Sequence, residues 1–347
     1  MKKIRLTSIC SPKQWRTIPT KDLLDEGYPV YGANGVIGYC KEYNHTSDTI
    51  IIGCRGSCGN VNIARGKSYI NGNAMCLDDL SSDVDILYLY YFLQNYDFRS
   101  VISGTTIPQV TKQGLEKIDV VVSSKENQRE IVRQLQLLDS IIEERHKELR
   151  YFDALIKSRF IEMFGDPVTN PLRWAMLPLE KCLTVLGGYA FKSEEFKTSG
   201  VPVLRIGNIN TGAFTPTNMV YWSKDDCLTR YQVLPGDLVI SLTGTVGKDD
   251  YGNVCILGNA YPMYYLNQRN AKLILDDELN KHYLSELLKF SQIKKKLTGI
   301  SRGVRQANIS NRDILNLVVP IPPIEIQVQF AAFVEQVDKS KYHGEFT

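Results

Sequence analysis

The chain has 347 residues, a length that suggests two domains, and carries 41 Lys plus Arg against 38 Asp plus Glu for a formal charge of +3. Its content of 43% hydrophobic and 10% aromatic residues is enough to bury a core, which excludes a largely disordered chain. The longest apolar run, Ile86–Leu93, is far short of the roughly 18 residues that span a bilayer, and Met1–Ser8 lacks the apolar segment of a secretory signal, so a cytoplasmic protein is expected.

In chain order, strands are expected where β-branched runs end in turn residues, as at Asp48–Ile52 before Gly53. A helix is expected over Tyr88–Phe98, then a Gly/Thr loop, a strand and a long helix. That helix is the strongest structural signal. Ile131, Leu135, Leu138, Ile142, Arg145, Leu149, Phe152 and Ile156 are spaced 4,3,4,3,4,3,4, a heptad seam. Lys125–Phe164 holds no Pro or Gly, and at ~1.5 Å per residue it would reach roughly 60 Å before Gly165-Asp166-Pro167 stops it. Such a seam needs a partner helix. The second candidate starts at Ile324 and continues through Phe330, Val334 and Val337, but after Lys341 the tail has no seam. Phe152, Leu155, Ile156, Phe160 and Met163 are therefore expected to lack an intrachain partner.

The chain also repeats itself. Residues 104–139 align with 303–338 without a gap, pairing Val110 with Ile309, Thr111 with Ser310, and Glu126 and Gln128 with Glu325 and Gln327. Upstream, Trp15-x-x-Ile18-Pro19 matches Trp174-x-x-Leu177-Pro178, Gly27-x-Pro29-Val30 matches Gly200-x-Pro202-Val203, Gly56-x-x-Gly59 matches Gly244-x-x-Gly247, and Asn73-Ala74 matches Asn270-Ala271. The expected parts are a first domain over 1–124, a central helix over 125–165, a second domain over 166–323 and a short second helix over 324–347. The fold class is α+β, two duplicated mixed domains separated by long helices forming an antiparallel coiled coil.

Tests for catalysis fail together. The Gly-rich stretches at 32–38 and 53–59 are not G-x-G-x-x-G, and Gly247-Lys248 lacks the earlier Walker glycine, since Leu242 stands there. Asn170-Pro171 is followed by Leu172, so no adenine-methyltransferase motif is present. The eight cysteines include no Cys-x-x-Cys pair and read as free thiols, with no metal site expected.

Charge placement points instead to nucleic acid. Leu287–Arg312 holds no acid but seven bases: Lys289, Lys294, Lys295, Lys296, Arg302, Arg305 and Arg312. Arg302, Arg305, Gln306 and Asn308 can read base edges, while the lysines suit phosphates. The first copy's counterpart supplies Thr105, Thr106, Gln109 and Lys112. Two further acid-free stretches supply Arg55 and, in the second copy, Arg205 and Asn208. Two unlike readers joined by a coil would bind two unlike DNA half-sites, with coil length setting the gap.

These residues carry a family resemblance. Trp15-x-x-Ile18-Pro19 with Gly27–Gly38, and Gly104-Thr-Thr-Ile-Pro-Gln-Val-Thr111 with Leu115 and Ile118, resemble the target-recognition domain of type I restriction-modification specificity (S) subunits. Arg159–Pro167 and Val318–Gln327 resemble the family's central region and its strand-to-helix junction, and the likeness runs over about residues 1–341. The resemblance implies a DNA-binding, non-catalytic subunit that docks methyltransferase (M) subunits, two in the family arrangement, and restriction (R) subunits. S-adenosylmethionine, ATP and Mg would all reside on those partners. The chain departs from the pattern at Val-Val-Ser-Ser124, where the second copy has Pro-Ile-Pro-Pro323, and in its short second helix. The latter keeps open a truncated decoy subunit that binds M without supporting methylation. A specificity subunit of a fused nuclease-methyltransferase is the other alternative.

Overall fold

The computed structural model describes residues 2–104, 108–299 and 306–343. The chain divides into two compact units, Met1–Arg145 and His146–Thr347. The first contains β1 (Lys2–Arg5), β2 (Ser11–Gln14), β3 (Tyr28–Gly32), β4 (Gly35–Cys40), β5 (Thr49–Gly53), β6 (Val61–Ala64), β7 (Tyr69–Ile70) and β8 (Ala74–Asp78). After these come α1 (Ile86–Gln94), β9 (Ile102–Ser103), β10 (Gln109–Val110), α2 (Lys112–Leu115), β11 (Asp119–Val122) and the start of α3 (Lys125–Phe164). The second contains β12 (Ala175–Pro178), β13 (Leu183–Gly187), β14 (Val201–Leu204), β15 (Val220–Trp222), β16 (Gln232–Val233), β17 (Leu238–Ser241), β18 (Thr243–Thr245), β19 (Val254–Ile256), β20 (Tyr264–Leu266) and β21 (Asn270–Leu275). It finishes with α4 (Lys281–Lys289), α5 (Ser291–Thr298), β22 (Gln306–Asn308), α6 (Asn311–Leu315), β23 (Val318–Ile321) and α7 (Ile324–His343).

Each unit is built on a four-stranded antiparallel sheet, β2-β8-β5-β6 in the first and β13-β21-β17-β19 in the second. The central strands β5 and β17 are covered on both faces, which is why they read as continuous apolar runs. Ile50 and Ile52 enter one core and Ile51 another; Leu238 and Ile240 likewise part from Val239. A second sheet accompanies each, three-stranded β4-β3-β7 in the first unit and four-stranded β15-β14-β20-β16 in the second, with one parallel pairing in each (β3 with β7, β14 with β20).

The two units share their hydrogen bonds as well as their topology. Leu6 N–H donates to Ile118 O and Leu179 N–H to Leu317 O, at 2.9 and 3.0 Å. Gln128 accepts from Asp85 N–H and donates to the Asp83 and Ser123 carbonyls; Gln327 repeats the set with Asn280, Glu278 and Pro322. Both glutamines are wholly buried. Each ties the first turn of its long helix to the chain entering α1 or α4. Gly27 and Gly200 share φ +126°, and a Cβ on either would meet a backbone oxygen at 2.5 or 2.3 Å.

The ladders correct two of the sequence alignments. Gly53 pairs with Ala74 and Ser241 with Asn270, so Ala74 is equivalent to Asn270 and the Asn-Ala match is slipped by one residue. Trp174 precedes β12, the equivalent of β1, whereas Trp15 follows β2. The two tryptophan motifs therefore occupy different places in the repeat. Short motifs lack the power to detect such slips; a strand register has it, because one residue of slip reverses which face each side chain takes.

The long helix forms over the expected residues, Lys125–Phe164. Its seam is not covered as expected. Ile156 and Phe160, together with Phe164, are buried in the second unit's core with Phe330, Val334 and Val337 of α7. Phe152 and Met163 pack against the same core, while Leu155 is exposed. Phe160 stacks on Tyr283 at 5.3 Å and meets Phe164, Phe290 and Phe330. Lys341 pairs with Asp153, so α7 runs antiparallel to this end of α3. Antiparallel packing brings the first turns of α7, not its tail, to the α3 C-terminus, which is why these residues have partners despite the short second helix. The exposed part of the seam is Leu138 and Ile142, with Leu137 and Ile141 beside them; Ile131, Leu135 and Leu149 are half-buried.

Candidate nucleic-acid interface

In the first unit, residues 53–59 form a tight turn closed by Gly59 N–H donating to Gly53 O at 2.9 Å. No helix opens there, so the glycines bend the chain and do not cradle phosphate. Gln109 and Val110 lie against this turn. Arg55 bridges antiparallel to Gln109, and Val110 N–H donates to Cys54 O at 3.1 Å. Thr111 caps α2 by accepting from Gly114 N–H, which places Lys112 at the helix start. A cavity of about 250 Å³ results, lined by Gln14, Arg55, Met75, Gln109, Thr111 and Lys112 among others. Three candidate DNA contacts, Arg55, Gln109 and Lys112, thus meet from segments more than fifty residues apart. Arg55 and Lys112 are exposed and, unlike Arg65 with Asp48, form no ion pair among the described residues. Thr105 and Thr106 lie outside the described residues.

The second unit builds the same frame. Thr243 pairs with Asn308, and Ile309 N–H donates to Leu242 O at 2.8 Å, matching Arg55 with Gln109 and Val110 with Cys54. Ser310 caps α6 in a reciprocal bond set with Asp313. Asp250 closes the β18 turn by accepting from Thr245 N–H and its hydroxyl; these bonds, the backbone one first, hold its carboxyl below the usual range. Asn308, Lys295, Lys296 and Arg312 are exposed. Gln306 is in β22, and Arg302 and Arg305 lie outside the described residues.

Two candidates are corrected. Lys294 is only 7% exposed, and its ammonium is held by Asp249 and Asn253. Asn208 is buried, its amide bonded to Arg205 N–H and to the Thr215 and Thr217 carbonyls. Neither side chain is free for DNA. Arg205 is half-buried with its guanidinium on Asn218 O at 2.6 Å. Lys289 pairs with Glu286. A charge count along the chain overstated the basic surface because acids distant in sequence neutralise Lys294 and near ones neutralise Lys289. Gln128 and Gln327, which place the helices, are signalled in the sequence only by their alignment in the repeat. One trio of metal-capable side chains lies together among the described residues, His45, Cys76 and Asp78.

The type I restriction modification DNA specificity domain model matches residues 1–150 and 171–343, one copy per unit. The chain belongs to that family. Among similar proteins with assigned roles, a type I restriction enzyme specificity subunit of Methanocaldococcus jannaschii is 26% identical over 297 residues, covering 78% of this chain and 68% of the relative. A putative type I specificity subunit of Haemophilus influenzae is 23% identical over 330 residues, covering 89% and 80%. The crystal structure of an S subunit from M. genitalium shares the fold, with TM-score 0.60 at 18% identity over 98% of this chain and 90% of that one.

Proposed function

We propose that the chain reads a bipartite DNA sequence, two unlike half-sites with a fixed gap, and directs adenine methylation and ATP-dependent cleavage by partner M and R subunits. The chain itself contributes no catalytic group; S-adenosylmethionine, ATP and Mg belong to the partners. The supporting observation is one backbone frame carrying different side chains. Arg55 stands where the second unit has Thr243, Gln109 where it has Asn308, and Lys112 where it has Asn311. Arg55 suits guanine, a preference Thr243 does not share, whereas Gln109 and Asn308 both suit adenine at different reach, so the two frames favour unlike half-sites. Lys112, Lys295 and Lys296 suit phosphates and set register without sequence. The exposed apolar residues Leu137, Leu138, Ile141 and Ile142 on α3 suit helix docking by an M subunit.

Co-expression with a type I methyltransferase subunit from the same source, followed by mapping of methylated adenine in a clean host, tests this. One interrupted motif with unlike halves is expected. Gln109→Ala should relax one half and Asn308→Ala the other, each by about 1–3 kcal/mol of discrimination. A continuous motif, or both variants relaxing the same half, would refute the reading.

A further inference from the structure

We propose that His45, Cys76 and Asp78 form a binding site for one divalent transition-metal ion of the zinc class, which fastens the loop after β4 to strand β8. Their candidate ligand atoms all lie within 4.8 Å of one another. A tetrahedral zinc ion with bonds of about 2.0–2.3 Å holds its ligand atoms about 3.5 Å apart, so small side-chain rotations close the site. Cys76 and Asp78 are two apart on β8 and share a face. His45 reaches them from the loop between β4 and β5, where reciprocal backbone bonds with Ser68 at 3.0 and 3.1 Å fix it. His45 and Cys76 are buried, and the Asp78 side chain is only 12% exposed.

The hydrogen bonds around the trio favour a cation. Asn44 is oriented by two bonds to Ile70, accepting from its N–H at 2.8 Å and donating to its carbonyl at 3.1 Å. Its amide oxygen therefore faces His45 Nδ1, 2.7 Å away, and Nδ1 carries the proton. Nε2 then points at Asp78 Oδ1 at 3.0 Å. In a neutral imidazole that would set a lone pair against a carboxylate, a repulsion that a shared cation removes. Imidazolium would also remove it, but would not involve the thiol.

Cys76 Sγ accepts a hydrogen bond from Trp15 Nε1–H at 3.2 Å and, as a thiol, donates to Lys13 O at 3.2 Å; a metal ion would take the place of that proton while the Trp15 bond remains. Lys13 sits 3.5 Å from Asp78 Oδ2, leaving Oδ1 as the ligating atom. Thiolate plus carboxylate balance a divalent ion. Metal uptake would displace the Cys76 thiol proton into solvent, because only the thiolate ligates. His45 and Asp78 also line a cavity of about 470 Å³, which gives water access to a fourth position. The three ligands escape sequence motifs because His45 and Cys76 are thirty-one residues apart.

The test is titration of the reduced, metal-stripped full chain with Co2+. A near-ultraviolet thiolate-to-cobalt band should saturate at one equivalent, be displaced by Zn2+, and accompany a rise in thermal midpoint. Cys76→Ala should abolish the band, whereas Cys58→Ala and Cys227→Ala should keep it. Asp78→Asn keeps the side chain's shape and serves if Cys76→Ala fails to fold; it should weaken Co2+ at least about 10-fold. No saturable band in the wild-type chain, a band surviving Cys76→Ala, or unchanged affinity in Asp78→Asn overturns the proposal.

Discussion

Replacing Phe160 by Ala tests how the long helix is anchored. A regular seam running along α3 would make Phe160 one contact among many and Leu138 its equal. In the structure Phe160 has no exposed surface, is stacked 13° from parallel on Tyr283, and touches the rings of Phe164, Phe290 and Phe330. Removing a ring so enclosed costs its transfer free energy plus that of the cavity left behind, about 3–5 kcal/mol. For a unit of this size, with about 2–4 °C per kcal/mol, the thermal midpoint of the second unit should fall by about 6–20 °C. Leu138, 54% exposed, should change stability by no more than about 0.5 kcal/mol when made Ala. Urea unfolding of the isolated chain, followed by circular dichroism, separates the two. A loss below about 1 kcal/mol for Phe160→Ala, or equal losses at both positions, would refute the anchoring argument.

Gln327→Ala leaves the Asn280 N–H and the buried Pro322 carbonyl without their partner, and the Glu278 carbonyl without its bond, and should cost about 1–3 kcal/mol, with Gln128→Ala acting likewise on the first unit; unfolding curves report both. Lys294→Ala should destabilise the second unit, whereas Lys295→Ala and Lys296→Ala should leave stability alone and each lower the salt dependence of DNA binding by about one ion; filter binding at several salt concentrations checks this. Burial, and then the charge of Lys281, hold His282 below the usual histidine value despite the opposing pull of Glu335. The unfolded chain therefore takes up the proton first as pH falls. The stability contribution is full above the ordinary value of 6.5 and is lost below it, down to the folded value. His282→Gln should flatten the stability–pH profile in that window; an unchanged slope would show that another group is responsible.

Much of this architecture was legible in the chain. The duplication showed as Thr111 and Ser310, Gln128 and Gln327, at one constant spacing, and the helix Lys125–Phe164 showed in its heptads and in Gly165. Such features are local, set by periodicity, capping and turn chemistry within a few residues. What covers a surface is not local. Asp249 is 45 residues from the lysine it neutralises, and Arg55 meets Gln109 only because a strand and a loop close on each other. The register of Ala74 with Asn270, the burial of Phe160 under α4 and α7, and the gathering of His45 with Cys76 and Asp78 were likewise decided by tertiary packing. The sequence determined which elements form and that they form twice; the folded chain decided which of their side chains remain free to meet a partner, because burial and charge pairing depend on neighbours that the linear order does not reveal.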